Sequence, residues 1–83
     1  MAIYQILYWQ NIPAQVKAWD DFDEIKVELA PVFMEKIDRT AQRQGLTNAD
    51  DYLAHWAWSE EAERPGTPEE IAETVKGELE AYV

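Results

Sequence analysis

The chain has 83 residues, a formal net charge of −10 and no cysteine. This length predicts one domain with a small core, since such a chain buries only about 60–65% of the surface that its unfolded form exposes. The lack of cysteine excludes disulfide bonds and zinc–thiolate sites as sources of stability. The negative charge argues against nucleic acid and anionic membranes as partners, because clustered Lys and Arg normally bind phosphate groups. The same acidity also keeps a small domain soluble whatever its function.

The sequence shows no sign of a membrane or export segment. No stretch approaches the roughly 20 apolar residues of a membrane-spanning helix. Residues 2–9 are apolar but lack the basic flank and the small-residue cleavage pattern of a signal peptide. We therefore expect a cytoplasmic protein whose single small domain extends over residues 1–83.

The first third of the chain predicts three strands. Residues 2–9 are aromatic and β-branched, which is typical of a strand covered on both faces. Residues 10–13 supply a turn, because Asn tolerates unusual backbone angles and Pro fixes its own φ. Residues 14–19 place Ala14, Val16 and Ala18 on one face and Gln15, Lys17 and Trp19 on the other. After an acidic loop at residues 20–23, the alternation resumes over residues 24–29.

Two helices are marked by their ends. Pro31 fits the first turn of a helix, and Gly45 predicts a left-handed cap after the helix ends near Gln44. Thr67 and Glu70 form a capping-box pattern at the start of the second helix, with Pro68 between them. The apolar stripes of the two helices are Phe33, Ile37 and Ala41 in the first, and Ile71, Ala72, Val75, Leu79 and Tyr82 in the second.

The segment between the helices is ambiguous. Thr47, Asn48, Asp50 and Asp51 predict a polar loop or a short turn of helix, and residues 52–58 then predict a strand. A helical alternative stays open because Tyr52 and Trp56 are four residues apart. Residues 60–66 are interpreted as a charged linker. The resulting order β-β-β-α-β-α predicts an α+β fold, with a three- to four-stranded, mostly antiparallel sheet and two helices packed on one face.

Aromatic residues make the second face of this sheet a candidate binding surface. Trp and Tyr dominate protein interfaces because they bury a large area with few rotatable bonds. We assign Trp9 to the core, whereas Trp19, Trp56 and Trp58 fit the core or the surface equally well. The candidate binding residues are Tyr4, Tyr8, Trp19, His55, Trp56 and Trp58.

The sequence offers little support for a catalytic site or a metal site. His55 is the only histidine, and a general base needs a nucleophile that this cysteine-free chain does not offer in an obvious form. The acidic loop at residues 20–24 lacks the glycine and the final glutamate of an EF-hand, so we interpret it as a solvated turn. Asp50, Asp51 and His55 lack a fourth local metal ligand. We therefore predict a non-enzymatic protein with no catalytic residue, cofactor or metal.

Several short motifs resemble a small bacterial domain family known as the virulence factor domain. They cover nearly the whole chain and comprise Tyr4, Gln5, Ile6, Trp9, the run from Ile12 to Lys17, Ile37, Asp38, Arg39, Gly45, Leu46, Asp51, Tyr52, Leu53, Trp56, Ala57 and Trp58. The family domain occurs alone and at the end of HEAT-like repeat arrays resembling conserved virulence factor C. The resemblance implies a small domain that acts through contacts, and it carries no active-site residues. The acidic loop at residues 20–23 is not matched.

Three functional hypotheses follow. The first is a protein-interaction module whose aromatic sheet face binds a partner protein or a second copy of the chain. The second is a small-molecule-binding or regulatory domain, in which the same aromatic residues line a pocket and His55 or Arg39 orients a polar ligand. The third is a metal-dependent hydrolase built on Asp50, Asp51 and His55.

Overall fold

The protein has an α+β fold, as the sequence predicts. A computed structural model of the chain describes residues 1–46 and 48–81, so Thr47 and Tyr82, named above, lie outside the described residues. The elements in chain order are β1 (Ala2–Trp9), β2 (Ile12–Trp19), β3 (Glu24–Glu28), α1 (Pro31–Arg43), α2 (Ala49–Leu53), β4 (Trp56–Trp58), β5 (Ala62–Arg64) and α3 (Pro68–Glu80). In the described part of the chain the order is therefore β-β-β-α-α-β-β-α, with one helix and one strand more than predicted.

The five strands form one antiparallel sheet with β1 at its centre. β2 pairs with one edge of β1, and β3 pairs with β2. The other edge of β1 is shared by two short strands: β4 pairs with Leu7–Trp9 and β5 pairs with Ala2–Tyr4. Short strands of this kind leave little backbone free for pairing with another chain.

Ser59 links the two short strands to β1. Its backbone N–H donates to the carbonyl oxygen of Ile6 at 2.8 Å, and the N–H of Ile6 donates to Ser59 Oγ at 2.9 Å. The side chain thus satisfies a strand donor where the β4–β5 segment departs from regular pairing. The interpretation of residues 60–66 as a linker is wrong for β5, because pairing with β1 rather than side-chain alternation creates this strand.

The prediction of a strand over residues 52–58 is correct only for its last part. Residues up to Leu53 belong to α2, whose N-cap Asn48 accepts a hydrogen bond from the N–H of Asp50 at 2.9 Å. This local bond favours helix over strand at the start of the segment. The short-turn alternative for this polar segment is thus the correct one, and β4 begins only at Trp56.

Both predicted helices have the ends that the sequence indicates. Gly45 has φ of +74°. The N–H of Leu46 donates to the carbonyl oxygen of Ala41 at 2.8 Å, and the N–H of Gly45 donates to the carbonyl oxygen of Gln42 at 3.1 Å. These bonds form a Schellman motif after α1. At the start of α3, Thr67 Oγ1 accepts from the N–H of Glu70 at 3.2 Å, while the Glu70 carboxylate accepts from the Thr67 hydroxyl.

The core lies between one face of the sheet and the helices. α3 packs across β1, β2 and β3, and α1 packs against β2. Trp9 is fully buried, which confirms its assignment to the core. The other buried hydrophobic residues are Ala2, Ile12, Ala14, Val16, Ala18, Leu29, Phe33, Ile37, Ala41, Ile71, Ala72 and Val75. The predicted stripes of both helices are therefore buried at these positions, and Leu79 packs at the margin of the core.

Candidate functional site

The register of the sheet separates two faces. On the covered face, Ile6 pairs with Val16 and Val16 with Val27, and all three residues belong to the core or pack against it. The residues between them point to the opposite side. We call this side the open face and define it by Ile3, Gln5 and Leu7 of β1, Gln15, Lys17 and Trp19 of β2, Glu24, Lys26 and Glu28 of β3, and Trp58 of β4.

The large apolar side chains of the open face lie outside the core cluster. Ile3, Leu7 and Trp19 are half-buried, and Trp58 is 42% exposed. Trp58 belongs to this face because it pairs with Leu7, and Trp19 belongs to it because it pairs with Ile3. Two tryptophans that are distant in sequence therefore share one accessible sheet surface.

Lys17 lies between these two tryptophans. Its Nζ is 5.2 Å from the ring centroid of Trp19 and 5.6 Å from that of Trp58, within the range of a cation–π contact. The same Nζ lies 3.5 Å from Oε1 of Glu24. Two indole rings and one carboxylate therefore surround the ammonium group.

An acidic depression continues the open face beyond Trp19. It has a volume of about 340 Å³ and is lined by Met1, Ile3, Trp19, Asp20, Asp21, Phe22 and Glu63. Phe22 is 91% exposed at this end of the molecule. The lining combines apolar side chains with three carboxylates and with Met1, whose terminal ammonium is near Asp20. The carboxylates outnumber this one positive charge, so the depression favours a ligand that has an apolar stem and a positive charge.

The acidic loop itself is a hydrogen-bonded turn. Oδ1 of Asp20 accepts from the backbone N–H groups of Phe22 and Asp23, both at 2.8 Å. These two hydrogen bonds lower the pKa of Asp20 from its ordinary value of 3.8. The interpretation of this segment as a turn between two strands is confirmed.

Tyr4 and Tyr8 do not lie on the open face, contrary to the sequence-based expectation. Tyr4 pairs with the buried Ala18 and packs against the core. The guanidinium of Arg64 lies 5.2 Å from its ring centroid and makes two hydrogen bonds, at 2.8 and 2.9 Å, to the Glu78 carboxylate of α3. These bonds lower the pKa of Glu78 and raise that of Arg64. Tyr4 is therefore part of a structural contact between the sheet and α3.

His55 and Trp56 belong to an aromatic cluster around Trp9. The ring centroids of Trp9 and His55 are 5.4 Å apart, those of Trp9 and Tyr52 are 5.5 Å apart, and those of Tyr52 and Trp56 are 6.1 Å apart. Burial, with a smaller effect of the Asp38 charge, raises the pKa of Tyr52. Trp56 is two residues from Trp58 on β4 and pairs with the buried Trp9, so it lies on the same sheet face as Trp58 but packs against the core. Among the candidate binding residues, Trp19 and Trp58 are therefore the two that lie on this face outside the core cluster.

A separate cavity of about 490 Å³ lies between the β1–β2 turn and the helices. Its lining comprises Tyr8, Gln10, Asn11, Ile12, Pro13, Phe33, Lys36, Thr40, Gln44 and Leu79. The side-chain amides of Gln10 and Gln44 exchange two hydrogen bonds, at 2.7 and 3.1 Å, on its border. Lys36 supplies the positive charge of the lining. Arg39 and His55, the two residues expected to orient a small ligand, lie outside this lining.

Residues 1–46 and 48–81 contain neither a metal-binding cluster nor a membrane-spanning helix. No group of three or more His, Asp or Glu side chains within these ranges could hold a metal ion, and Asp50, Asp51 and His55 do not form one. None of the helices described in these ranges has the length and apolar character needed to cross a bilayer.

One protein family matches most of the chain. A family model described as "Virulence factor" matches residues 7–83. The chain belongs to the virulence factor family. The resemblance carried by its short motifs is therefore confirmed. No curated protein and no solved structure matches this virulence factor domain.

Lys17, Phe22 and Glu63 are among the residues of the site that the sequence did not single out. Lys17 and Trp19 are two residues apart on one strand, so their common face was predictable from strand periodicity. The position of Trp58 beside them was not, because it depends on the pairing of Leu7 with Trp58. Glu63 reaches the depression through the pairing of β5 with Ile3 in the same way.

Proposed function

We propose that this domain is a non-enzymatic protein-interaction module that binds a partner protein through its open face. The observation that carries the proposal is that Trp19 and Trp58 lie outside the core on the same sheet face. A buried tryptophan pair would contribute to stability, whereas an accessible pair exposes apolar area that a partner can bury.

The rest of the open face has the composition of an interface. Ile3 and Leu7 supply apolar surface between the two tryptophans, and charged residues surround them. The charged residues on or beside the face are Lys17, Lys26, Glu24, Glu28 and Glu63. An apolar centre with a charged rim is the usual arrangement in protein interfaces.

Charge favours a basic partner protein over a second copy of the chain. Each copy has a net charge of −10, so self-association would bring two strongly negative molecules together. A partner with a basic surface would instead be attracted and oriented by the same charge. We therefore propose that the open face binds a partner protein whose contact surface carries Lys or Arg.

The test compares baits that differ only on the open face. The wild-type domain, the double variant Trp19→Ala/Trp58→Ala and the control Phe33→Leu would each be immobilised and exposed to lysate of the source cells. The control changes a buried residue of α1 and leaves the open face intact. Any protein that the wild type and the control retain and the double variant loses would then be purified, and its dissociation constant measured for all three.

The expected result is a purified partner whose dissociation constant rises at least tenfold for the double variant. Folding of each bait would be checked by circular dichroism. A partner that binds all three baits equally would place the interface elsewhere. Analytical ultracentrifugation that shows a wild-type dimer, dissociated by the double variant, would assign the face to a second copy instead.

Small-molecule binding is a second candidate function, favoured by the cavity of about 490 Å³ beside α1. Its apolar residues Phe33 and Leu79 and its charged residue Lys36 suit a small organic anion with an apolar body. A ligand that binds only the folded state raises the melting temperature. A panel of small carboxylates should do so for the wild type and for Lys26→Met, and the increase should be lost in Lys36→Met. A panel without effect would leave this candidate without support.

A further inference from the structure

The position of Lys17 indicates what the open face recognises. We propose that Trp19 and Trp58 bind a cationic side chain of the partner between their rings, a site that we call the clamp, and that Lys17 occupies the clamp in the free protein. This proposal rests on the function proposed above. Lys17 would then act as an internal competitor, whose ammonium group moves into solvent when an arginine or lysine of the partner binds between the two rings.

The clamp is built from elements that are separate in the chain. Trp19 and Lys17 lie on the same face of β2, while Trp58 reaches them from β4 across the central strand β1. The two rings lie at similar distances, 5.2 and 5.6 Å, from the Lys17 Nζ. The space between the rings therefore already accommodates one positively charged group.

The surrounding charge suits a cation from outside the chain. Glu24 lies 3.5 Å from the Lys17 ammonium, and the adjoining depression adds the carboxylates of Asp20, Asp21 and Glu63. Asp20 is engaged in its turn, but Asp21 and Glu63 are exposed. An arginine whose apolar stem crosses Ile3 would bring its guanidinium to both the aromatic rings and the carboxylates. Guanidinium groups stack on aromatic rings and pair with carboxylates at the same time.

Lys17 can leave the clamp at low cost. Its side chain is 27% exposed and that of Glu24 is 55% exposed, so their ion pair is a surface contact. Such pairs contribute little to stability. The flexible lysine stem also allows the ammonium to move into solvent while the backbone of β2 stays paired.

The experiment uses the full 83-residue chain and an acetylated, amidated Gly-Arg-Gly peptide as the probe. Nuclear magnetic resonance would follow the four indole N–H signals, assigned with Trp→Phe variants, during peptide titration at constant ionic strength. A Gly-citrulline-Gly peptide controls for the charge of the arginine. The indole of Trp9 is an internal control, because it is buried and hydrogen-bonded to Tyr52.

The decisive comparison is between Lys17→Met and Lys26→Met. Both variants remove one positive charge from the open face, and Lys26 pairs directly with Lys17 in the sheet, but the structure assigns the ring contacts to Lys17. The arginine peptide should shift the Trp19 and Trp58 signals and leave the Trp9 signal in place. Its affinity should rise about three- to tenfold in Lys17→Met, the size expected for an unblocked cation–π site, and should stay near the wild-type value in Lys26→Met.

Three outcomes would overturn the proposal. Equal affinities in the two variants would show that only net charge matters, and weaker binding in Lys17→Met would show that Lys17 itself contacts the ligand. Shifts of the Trp19 and Trp58 signals on raising protein concentration alone would assign the clamp to a second copy. Lys17→Gln provides the same comparison if Lys17→Met does not fold. A partner retained through Trp19 and Trp58 despite a failed peptide test would preserve the interaction module and remove only the clamp.

Discussion

The indole Nε1–H of Trp9 donates a hydrogen bond of 2.8 Å to the backbone carbonyl oxygen of Tyr52. Trp9 ends the central strand, and Tyr52 lies in the short helix α2. Tyr52 also stacks against the indole, with 5.5 Å between ring centroids. The buried side chain of Trp9 thus helps to fix the segment that carries β4, together with the hydrogen bond from the Gln10 N–H to the His55 carbonyl oxygen, and with it the position of Trp58 on the open face.

Trp9 and Trp58 should differ sharply in their contribution to stability. Trp9→Ala removes a fully buried indole and its hydrogen bond, so we expect a loss of about 3–5 kcal/mol in the free energy of unfolding. Trp58→Ala removes a side chain that is 42% exposed, so the loss should be smaller, about 1–2 kcal/mol. Urea unfolding followed by far-ultraviolet circular dichroism measures both. A large loss in Trp58→Ala would place that residue in the core and weaken the proposed interaction face.

Ser59→Ala tests the link between β1 and the two short strands. The substitution leaves the N–H of Ile6 without the Ser59 Oγ acceptor at 2.9 Å. An unsatisfied donor at this partly buried position should cost about 1–2 kcal/mol in the free energy of unfolding. Thr74→Ala, which removes an exposed hydroxyl from α3, is the control and should stay within about 0.5 kcal/mol of wild type. Equal values for the two variants would show that the hydroxyl of Ser59 does not stabilise the strand junction.

Two glycine substitutions should have opposite effects. Gly45 has φ of +74°, so Gly45→Ala forces a left-handed conformation on alanine and should cost about 1–2 kcal/mol. Gly77 lies inside α3 with nothing within 4 Å of an added Cβ, so Gly77→Ala should stabilise the protein by about 0.5–1 kcal/mol. Thermal and urea unfolding measure both. Destabilisation by Gly77→Ala would show that α3 needs its glycine for packing.

Acid should remove the contribution of Asp20. Backbone hydrogen bonds lower the pKa of this carboxyl below its ordinary value of 3.8 in the folded state. A lowered folded pKa gives a contribution that is present above 3.8 and is lost as the pH falls through the folded value. The difference in unfolding free energy between the wild type and Asp20→Ala should therefore be constant near neutral pH and shrink below about pH 3.8.

The neighbouring variant Asp21→Ala controls for the loss of charge in this prediction. It leaves both hydrogen bonds of the turn in place, so its pH profile should follow that of the wild type. Urea unfolding across a pH series measures all three proteins. A difference between the wild type and Asp20→Ala that does not change with pH would show that the ionised carboxylate has no special role in the turn.

Signals confined to a few neighbouring residues predicted their structure well. Gly45 ends α1 and Thr67 starts α3 because capping depends on local backbone geometry and on side chains within one turn. Strand alternation likewise identified β3 and most of β2. The predicted turn at residues 10–13 is too long, because Ile12 pairs with Trp9 and β2 already begins there. The sequence left α2 as one of two alternatives and missed β5, since a five-residue helix and a three-residue strand are too short to show a period of their own.

Tyr4 of β1 shows that sequence periodicity sorts residues into two faces without telling which face is covered. Alternation correctly groups Tyr4 with Ile6 and separates both from Ile3 and Leu7. Both rows are apolar, however, so the sequence does not indicate which row the helices cover. Packing of α3 across the sheet decides it, and Tyr4 is covered while Ile3 lies on the open face.

The sequence by itself determined the acidic surface, the α+β class, the ends of the two long helices, the central apolar strand and the family. These features depend on composition or on residues close together in the chain. Only the tertiary structure decided that Trp58 lies beside Lys17 and Trp19, because that contact requires β4 to pair with β1 and β1 with β2. Long-range strand pairing leaves no local sequence pattern, and such pairing brings Trp58 and Glu63 to the pair Lys17 and Trp19 that β2 already carries.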